Sequence, residues 1–471
     1  MPVGFHDDAT FRWSVGAAAA IDRAGAAHAT VIRTIADWRA IAPHAPRSAT
    51  DSFDPAYRFG NLDDLVRNAQ RNGMQVMITI WGTPRWANND HGPNVAPTRA
   101  DDLADFGRAI ADRYSGRYAG LPHVGRYSIW NEPNLEIFLT PQFDQRGAIV
   151  SPRTYARLYR AGHAGIKAGN ATALVAIGET SNQGRDRPAQ GVAADSVAPG
   201  TFARLLARER NLTFDAYATH PYPTRPDAPP TERVRWPNVT LSQLPRFERS
   251  LDRWFERRDI PIWITEFGYQ TKPGDRFGVT EAQQARYLSV VMSQLRADLR
   301  VQMFIWFIFR DSTRGLWQSG LATVSDRPKP SYEAFRSLAR SMGGQTVKIA
   351  PGVKPTIKLP VPRLAFGSPA GSTIGVTYRV YHGTQVLAVG QPAPRLQVNQ
   401  SVSFVASFLP APRNKYTIEI DAGDINGNHV LATYNLHATS GPSVGTRTLS
   451  EAPSCTSSPR SPGPTRQSRR C

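Results

Sequence analysis

Cysteine is nearly absent: the 471 residues hold two, Cys455 and Cys471, both in the final stretch. No disulfide framework and no cysteine-ligated metal site can therefore organise the main body. Long apolar runs are missing as well. The longest, Val301 to Phe309, falls far short of the ~18–20 residues that span a bilayer. No charged-then-apolar segment precedes the first strand, so neither a membrane helix nor a signal peptide is expected. Acidic residues are the minority, 38 against 56 Lys and Arg, and 49 of the 56 are arginine. The resulting charge of +18 would suit acidic glycans, membrane surfaces or nucleic acid. The basic residues are spread along the chain instead of forming one stripe, so no nucleic-acid partner is indicated.

What is present is ample core material, 41% hydrophobic residues and ten Trp, arranged as a repeated alternation. Short β-branched, apolar segments stand at Val3–Phe5, Ala29–Ile35, Gln75–Ile80, Gly125–Trp130, Leu174–Ile177, Phe214–Thr219, Pro261–Thr265 and Val301–Phe307. Between and after them, helical spacing of Ala, Leu and Arg predicts helices over 13–24, 61–72, 99–114, 152–168, 201–209, 244–258, 280–299 and 331–342. Eight βα units over about 340 residues predict an α/β fold, a (β/α)₈ (TIM) barrel. A doubly wound open sheet is the alternative, but it calls for a glycine-rich phosphate turn after an early strand, and none is present.

Met342-Gly343-Gly344 breaks the pattern. Beyond it, strand-like alternation at 373–381, 401–408, 416–420 and 431–436 predicts a small all-β sandwich of immunoglobulin-like type, with a hairpin turn at 424–428. From Ser440 the chain is rich in Ser, Pro and Arg, and disorder is expected. The expected domains are a barrel over 1–343, a sandwich over 344–440 and a tail over 441–471.

In such a barrel the site forms at the carboxyl ends of the strands. The fourth strand ends in Ile129-Trp130-Asn131-Glu132-Pro133 and the seventh in Ile264-Thr265-Glu266-Phe267-Gly268. Either Glu alone reads most simply as a solvated loop residue. Together, three strands apart on one rim, they can converge, and two carboxylates in one cleft are the equipment for glycoside hydrolysis. One must be protonated to donate to the leaving oxygen while the other stays ionised to attack carbon. In the loop after the third strand, Trp81 and Trp86 stand among small polar residues, as in sugar clefts, where apolar sugar faces pack on rings.

These motifs, from Val3 to about Ala339, resemble the retaining glycoside hydrolases of clan A. Asn131-Glu132-Pro133, Thr265-Glu266-Phe267-Gly268, Arg33, His220 and Tyr222 in Thr219-His220-Pro221-Tyr222, and Trp306 carry the likeness. Gly82-Thr83-Pro84-Arg85-Trp86 looks like glycoside hydrolase family 39 and its neighbours more than the cellulase-like family 5. The resemblance implies Glu132 as acid/base and Glu266 as nucleophile. It implies that Arg33 hydrogen-bonds the nucleophile, that Asn131 binds the hydroxyl beside the anomeric carbon, and that Tyr222 touches the nucleophile. His220 would support the acid/base, and Trp306 would floor the subsite of the attacked sugar. It also implies export, against the missing signal segment.

Plainer alternatives stand beside these. Arg33 could pair with Asp37, and Trp306 could be a barrel-core aromatic. His220 has no second His or Cys at ligand spacing, so no metal is expected, nor any cofactor. Glu179 and Asp311, at the ends of the fifth and eighth strands, are candidates for binding substrate hydroxyls or plain surface carboxylates. The Pro-rich loop 221–245 would wall the cleft. The sandwich shows no row of exposed Trp, which favours a packing role over glycan binding. A monomer acting on a carbohydrate substrate is expected. The competing classes are a silent glycan-binding barrel and a surface-adhesion protein built on residues 345–471.

Overall fold

A computed structural model describes residues 1–189, 194–298, 300–341, 346–360, 373–382, 385–397, 401–424 and 429–439. The Met342-Gly343-Gly344 break, the turn expected at 424–428 apart from Asp424, and the tail with both cysteines lie outside them.

The eight expected strands all form. They are β1 Val3–His6, β2 Val31–Asp37, β3 Gln75–Trp81, β4 Arg126–Ile129, β5 Leu174–Thr180, β6 Ala216–Thr219, β7 Ile262–Ile264 and β8 Val301–Phe307. They close in sequence order into a parallel barrel, sealed where Phe5 of β1 pairs with Trp306 of β8. Among the described residues eight helices of two turns or more accompany them: α1 Ala17–Ala26, α2 Gly60–Arg71, α3 Ala100–Arg113, α4 Ser151–Gly169, α5 Pro199–Leu206, α6 Leu244–Trp254, α7 Glu281–Ala297 and α8 Pro330–Ser341. Each presents an apolar face to the strands, as in α2, where Leu62, Leu65, Val66 and Ala69 are buried. α3 and α4 pack closely at Gly165, where a Cβ would sit 2.0 Å from the Ala104 carbonyl oxygen. No other residue fits there.

Strand pleating sorts side chains into two populations. One faces the helices and forms the main core, including Phe5, Ile32, Ile78, Phe304 and Trp306. The other fills the barrel: Val31, Met77, Ala176, Ala216, Ala218, Trp263, Met303 and Ile305. Two residues further along each strand, the same inward parity delivers Arg33, Thr79, His220, Thr265 and Phe307 to the carboxyl-end rim.

The C-terminal part is all-β. A five-stranded sheet orders β12 (Gln385–Gln397), β11 (Thr373–His382), β14 (Lys415–Asp424), β15 (His429–Ala438) and β9 (Thr346–Ile349). A two-stranded sheet pairs β10 (Thr356–Pro360) with β13 (Ser401–Val405). The five-stranded sheet meets the barrel at a buried cluster: Glu419 of β14 lies 2.7 Å from His28 and accepts from Tyr381 at 2.6 Å, and Arg340 of α8 stacks 4.6 Å from the Tyr381 ring. The contact is with the helical shell, which suits a packing role. Among the described residues no helix is long and apolar enough to cross a membrane.

Candidate active site

The rim opens into a cleft of about 820 Å³, within the usual range for small-molecule sites. Its floor holds Asn131, Glu132, Tyr222, Glu266, His6 and Phe307, and the loops after β4, β5, β6 and β8 make its walls.

The backbone that presents Glu132 is strained. Trp130 and Glu132 adopt φ of 70° and 37°, and Glu179 on β5 adopts 47°, left-handed conformations costing about 1–3 kcal/mol each for side-chain-bearing residues. Surrounding bonds compel them. Glu132 N–H donates to the Glu179 carbonyl (3.0 Å), and Trp130 donates from its backbone to Ile80 (2.7 Å) and from its indole to Phe138 (2.6 Å). Buried Asn134 ties the same turn to the next loop through Ser181 Oγ and the Val197 carbonyl, both at 2.9 Å.

Arg33 is the hub. Fully buried, it donates from Nη1 to Glu266 Oε1 (2.7 Å), from Nη2 to Glu179 Oε2 (2.9 Å) and Asn131 Oδ1 (2.8 Å), and from Nε to Thr79 Oγ1 (3.0 Å). A buried guanidinium is tolerable only with its donors matched and its charge met, and Glu179 with Glu266 does both. His6 Nδ1 lies 2.6 Å from Arg33 Nη1 and 3.1 Å from Glu266 Oε1, and its Nε2 faces Asp8 Oδ2 at 3.7 Å.

His220 sits between the two central carboxylates. Its Nδ1 is 2.9 Å from Glu132 Oε1 and 3.8 Å from Glu266 Oε2, while Nε2 meets Thr265 Oγ1 at 3.0 Å. Tyr222 donates its hydroxyl to Glu266 Oε2 at 3.2 Å. The two carboxylates titrate apart. Burial pushes Glu132 up, and the neighbouring Glu266 charge adds to this against the opposing pull of His220. Burial acts on Glu266 in the same sense, but His220 and Arg33 outweigh it and hold that carboxyl well below the usual range. One site thus holds a carboxyl that favours its proton and another that surrenders it.

Other expected site residues are elsewhere. Trp306 is fully buried on the helix-facing side of β8 and donates its indole N–H to the Ser319 carbonyl (2.8 Å), so it does not floor the cleft. Strand parity is the reason: the inward neighbour, Phe307, lines the cleft, with Trp317 edge-on against it at 5.2 Å. Trp81 and Trp86 also miss the lining. Their indoles donate to the Phe138 and Ala42 carbonyls (3.2 and 2.9 Å), holding loops together. Glu179 is fully buried on Arg33 and has no open side for a substrate hydroxyl, and Asp311 is spent on Lys329 (2.8 Å). Of the loop 221–245, residues 222–226 line the cleft. His6 and Trp317 went unremarked in the sequence, although His6 obeys the same strand-end rule that singled out the two Glu residues. Among the described residues no cluster of His, Cys, Asp or Glu is arranged to hold a metal ion.

The profile of the family described as cellulase (glycosyl hydrolase family 5) matches residues 2–310. No curated protein matches the chain in sequence. Among solved structures the fold is similar to a family 39 glycoside hydrolase from Bacteroides cellulosilyticus WH2 (17% identity, TM-score 0.53, covering 86% of this chain and 80% of that one). It is also similar to GH5_18 from Streptomyces cattleya in complex with GlcNAc (15%, 0.53, 74% and 85%). A third likeness is to a monomeric β-xylosidase from Caulobacter crescentus CB15 (14%, 0.51, 90% and 95%). These likenesses concern the fold. The Gly82–Trp86 loop leans towards family 39, and one neighbour is of that family, but the profile spans the barrel and decides membership. The chain belongs to the cellulase family, glycosyl hydrolase family 5.

Proposed function

We propose that this chain hydrolyses O-glycosidic bonds of a β-linked glycan or glycoside by double displacement, with Glu132 as acid/base and Glu266 as nucleophile. Family membership supports glycoside hydrolysis in general. The observation that carries the finer statement is the opposite treatment of two carboxyls around one imidazole. Their nearest oxygens can be no further apart than the 2.9 and 3.8 Å contacts laid end to end. So short a bound on the nearest oxygens supports the ~5–5.5 Å carboxyl separation of retaining enzymes over the ~6.5–9.5 Å of inverting ones.

In the first step ionised Glu266 attacks the anomeric carbon while protonated Glu132 donates its proton to the departing oxygen, giving a glycosyl ester on Glu266. In the second, Glu132, now ionised, takes a proton from water, the water oxygen attacks the anomeric carbon, and Glu266 leaves. Arg33 and Tyr222 keep Glu266 ionised and aimed, and His220 orients Glu132. Asn131, held by Arg33, faces the sugar. All these groups come from one chain, so a monomer suffices, and carbohydrate and water are the only reactants. The same proposal divides the chain into a catalytic barrel (1–343), an accessory sandwich (344–440) and a tail (441–471).

The test is release of reducing ends or aryl groups from a panel of β-glucans, xylans, exopolysaccharides and aryl β-glycosides, with Glu266→Ala alongside. Release that vanishes in the variant, with the β-configured product formed first, supports the proposal. Wild-type rates in Glu266→Ala overturn it.

A further inference from the structure

The walls of the cleft carry an uneven charge. Apart from Glu132, Glu266 and His6 on the floor, the charged residues lining it are two arginines, Arg185 in the loop after β5 and Arg225 in the loop after β6. Both are exposed. Among the described residues Arg185 has no carboxylate within 4.0 Å. Arg225 has only a loose contact of 3.8 Å with Asp227, and both of those side chains are largely in solvent. The four residues of the β5 loop outside the description, 190–193, are Gln, Gly, Val and Ala and bring no charge.

Acids do occur in these loops, but they are engaged by the protein itself. Glu136 accepts from Asp195 N–H (2.9 Å), and Asp195 accepts from Ala189 N–H (2.7 Å). Asp186 accepts from Ala198 N–H and Thr201 Oγ1 (both 2.7 Å). Glu232 uses both oxygens on Thr224 (2.8 and 2.6 Å). A cleft that ties up its acids internally and leaves two guanidinium groups facing the open space is complementary to an oxyanion. Guanidinium forks favour bidentate oxyanion acceptors, the planar carboxylate and the tetrahedral sulfate alike. The protein's charge of +18 would draw such a polymer towards the cleft, where these two side chains would confer selectivity.

We infer that the cleft selects a glycan whose sugars carry an oxyanion, a uronate or a sulfate ester, read by Arg185 and Arg225. This rests on the glycosidase proposal for its substrate class, but its binding claim is measurable separately. The probes are β-1,4-linked oligosaccharides that differ only at C6: cello-oligosaccharides, their 6-O-sulfated forms and glucuronan oligosaccharides, with the matching manno-, sulfated manno- and mannuronan series. Affinity is measured by calorimetry on the full chain carrying Glu266→Gln, which stops turnover, with and without Arg185→Gln/Arg225→Gln. Hydrolysis of the same probes is followed with Glu266 intact.

The expected result is roughly tenfold or tighter binding of at least one anionic form than of its neutral partner at low salt. Rising ionic strength should shrink the preference, and the double Arg variant should bring it near unity with neutral-sugar affinity unchanged. Two arginines are a small part of 56 basic residues, so a preference that survives their loss belongs to the general field and overturns the inference. Equal affinity for charged and neutral partners, or no binding in either series, overturns it too. Arginine-dependent preference without hydrolysis sustains this inference and sinks the catalytic proposal. Hydrolysis of neutral and charged forms at equal efficiency does the reverse. A uronate and a sulfate ester are told apart by which series shows the preference.

Discussion

The barrel interior and the rim above it are made by the same strands, one pleat (~7 Å) apart, yet they obey opposite chemistry. The interior layer is largely apolar, Val31, Met77, Ala176, Ala216, Ala218, Trp263, Met303 and Ile305, with Arg126 of β4 in register beside Met77. Two residues further on stand Arg33, Thr79, His220 and Thr265, buried as deeply but polar, with Glu179 and Glu266 between them. The apolar interior residues need only fill space. Rim residues must also match charge and donors atom by atom, because an unpaired ion buried there costs far more than a void. Position along a strand therefore separates what holds the barrel from what acts on a substrate.

The largest effect expected is loss of the rim's ionised carboxylate. Glu266→Ala should lower kcat by about 10³-fold or more while the far-UV spectrum stays barrel-like, whereas Ile305→Val one layer below should leave kcat unchanged and cost only about 0.5–1.5 kcal/mol. Steady-state kinetics and urea titration of both variants would decide this, and comparable kcat losses would erase the distinction between layers.

Glu132→Gln comes next, with a loss of about 10²–10⁴-fold, smaller for substrates whose leaving group needs no proton. Its signature is in pH. Glu132 acts protonated and its pKa is raised, so activity should fall as pH rises through that value. Glu266 acts ionised and its pKa is lowered, so the acid limb should lie below the ordinary ~4.3 of a carboxyl. With a leaving group that needs no protonation, the alkaline limb should disappear in Glu132→Gln and the acid limb remain. The reverse pattern would exchange the two roles.

Removing the hub should injure stability as well as rate. Arg33→Met leaves Glu179 and Glu266 buried without a partner charge, a cost of about 3–5 kcal/mol. Adding Glu179→Gln should recover part of it, because one uncompensated charge is gone. Urea midpoints of the single and double variants, read as a double-mutant cycle, check this. An additive cycle would mean that the rim does not act as a charge network.

Much of this contrast was legible in the sequence. All eight barrel strands were visible as short apolar segments, because a parallel sheet covered on both faces leaves continuous apolar runs such as Met303–Phe309 and Leu174–Ile177. The long β12 went unread since Gly390, Pro392 and Pro394 hide its alternation. Glu132 and Glu266 were visible because a polar residue directly after a buried strand is conspicuous. Trp81, Trp86 and Glu179 were misplaced for one physical reason: aromatic rings and carboxylates at a rim serve equally well to fasten loops as to hold sugar. Composition does not separate those uses. Hydrogen-bond partners contributed from distant segments, Phe138, Ala42 and Arg33, do.

Trp306 gives the smallest and most local test of the comparison, since it turns on which side of one strand a ring faces. In a strand, neighbours point to opposite faces, so Trp306 and Phe307 cannot both line the cleft. Met303 and Ile305 fill the barrel, which gives Phe307 the inward parity and Trp306 the outward one. Trp306→Phe removes the donor to the buried Ser319 carbonyl and should cost about 1–3 kcal/mol of stability, with KM unchanged. Phe307→Leu keeps apolar volume but removes the ring facing the cleft and the edge contact with Trp317, and should raise KM several-fold with little loss of stability. If Trp306→Phe instead raised KM and left the urea midpoint alone, β8 would have to present its other face to the substrate.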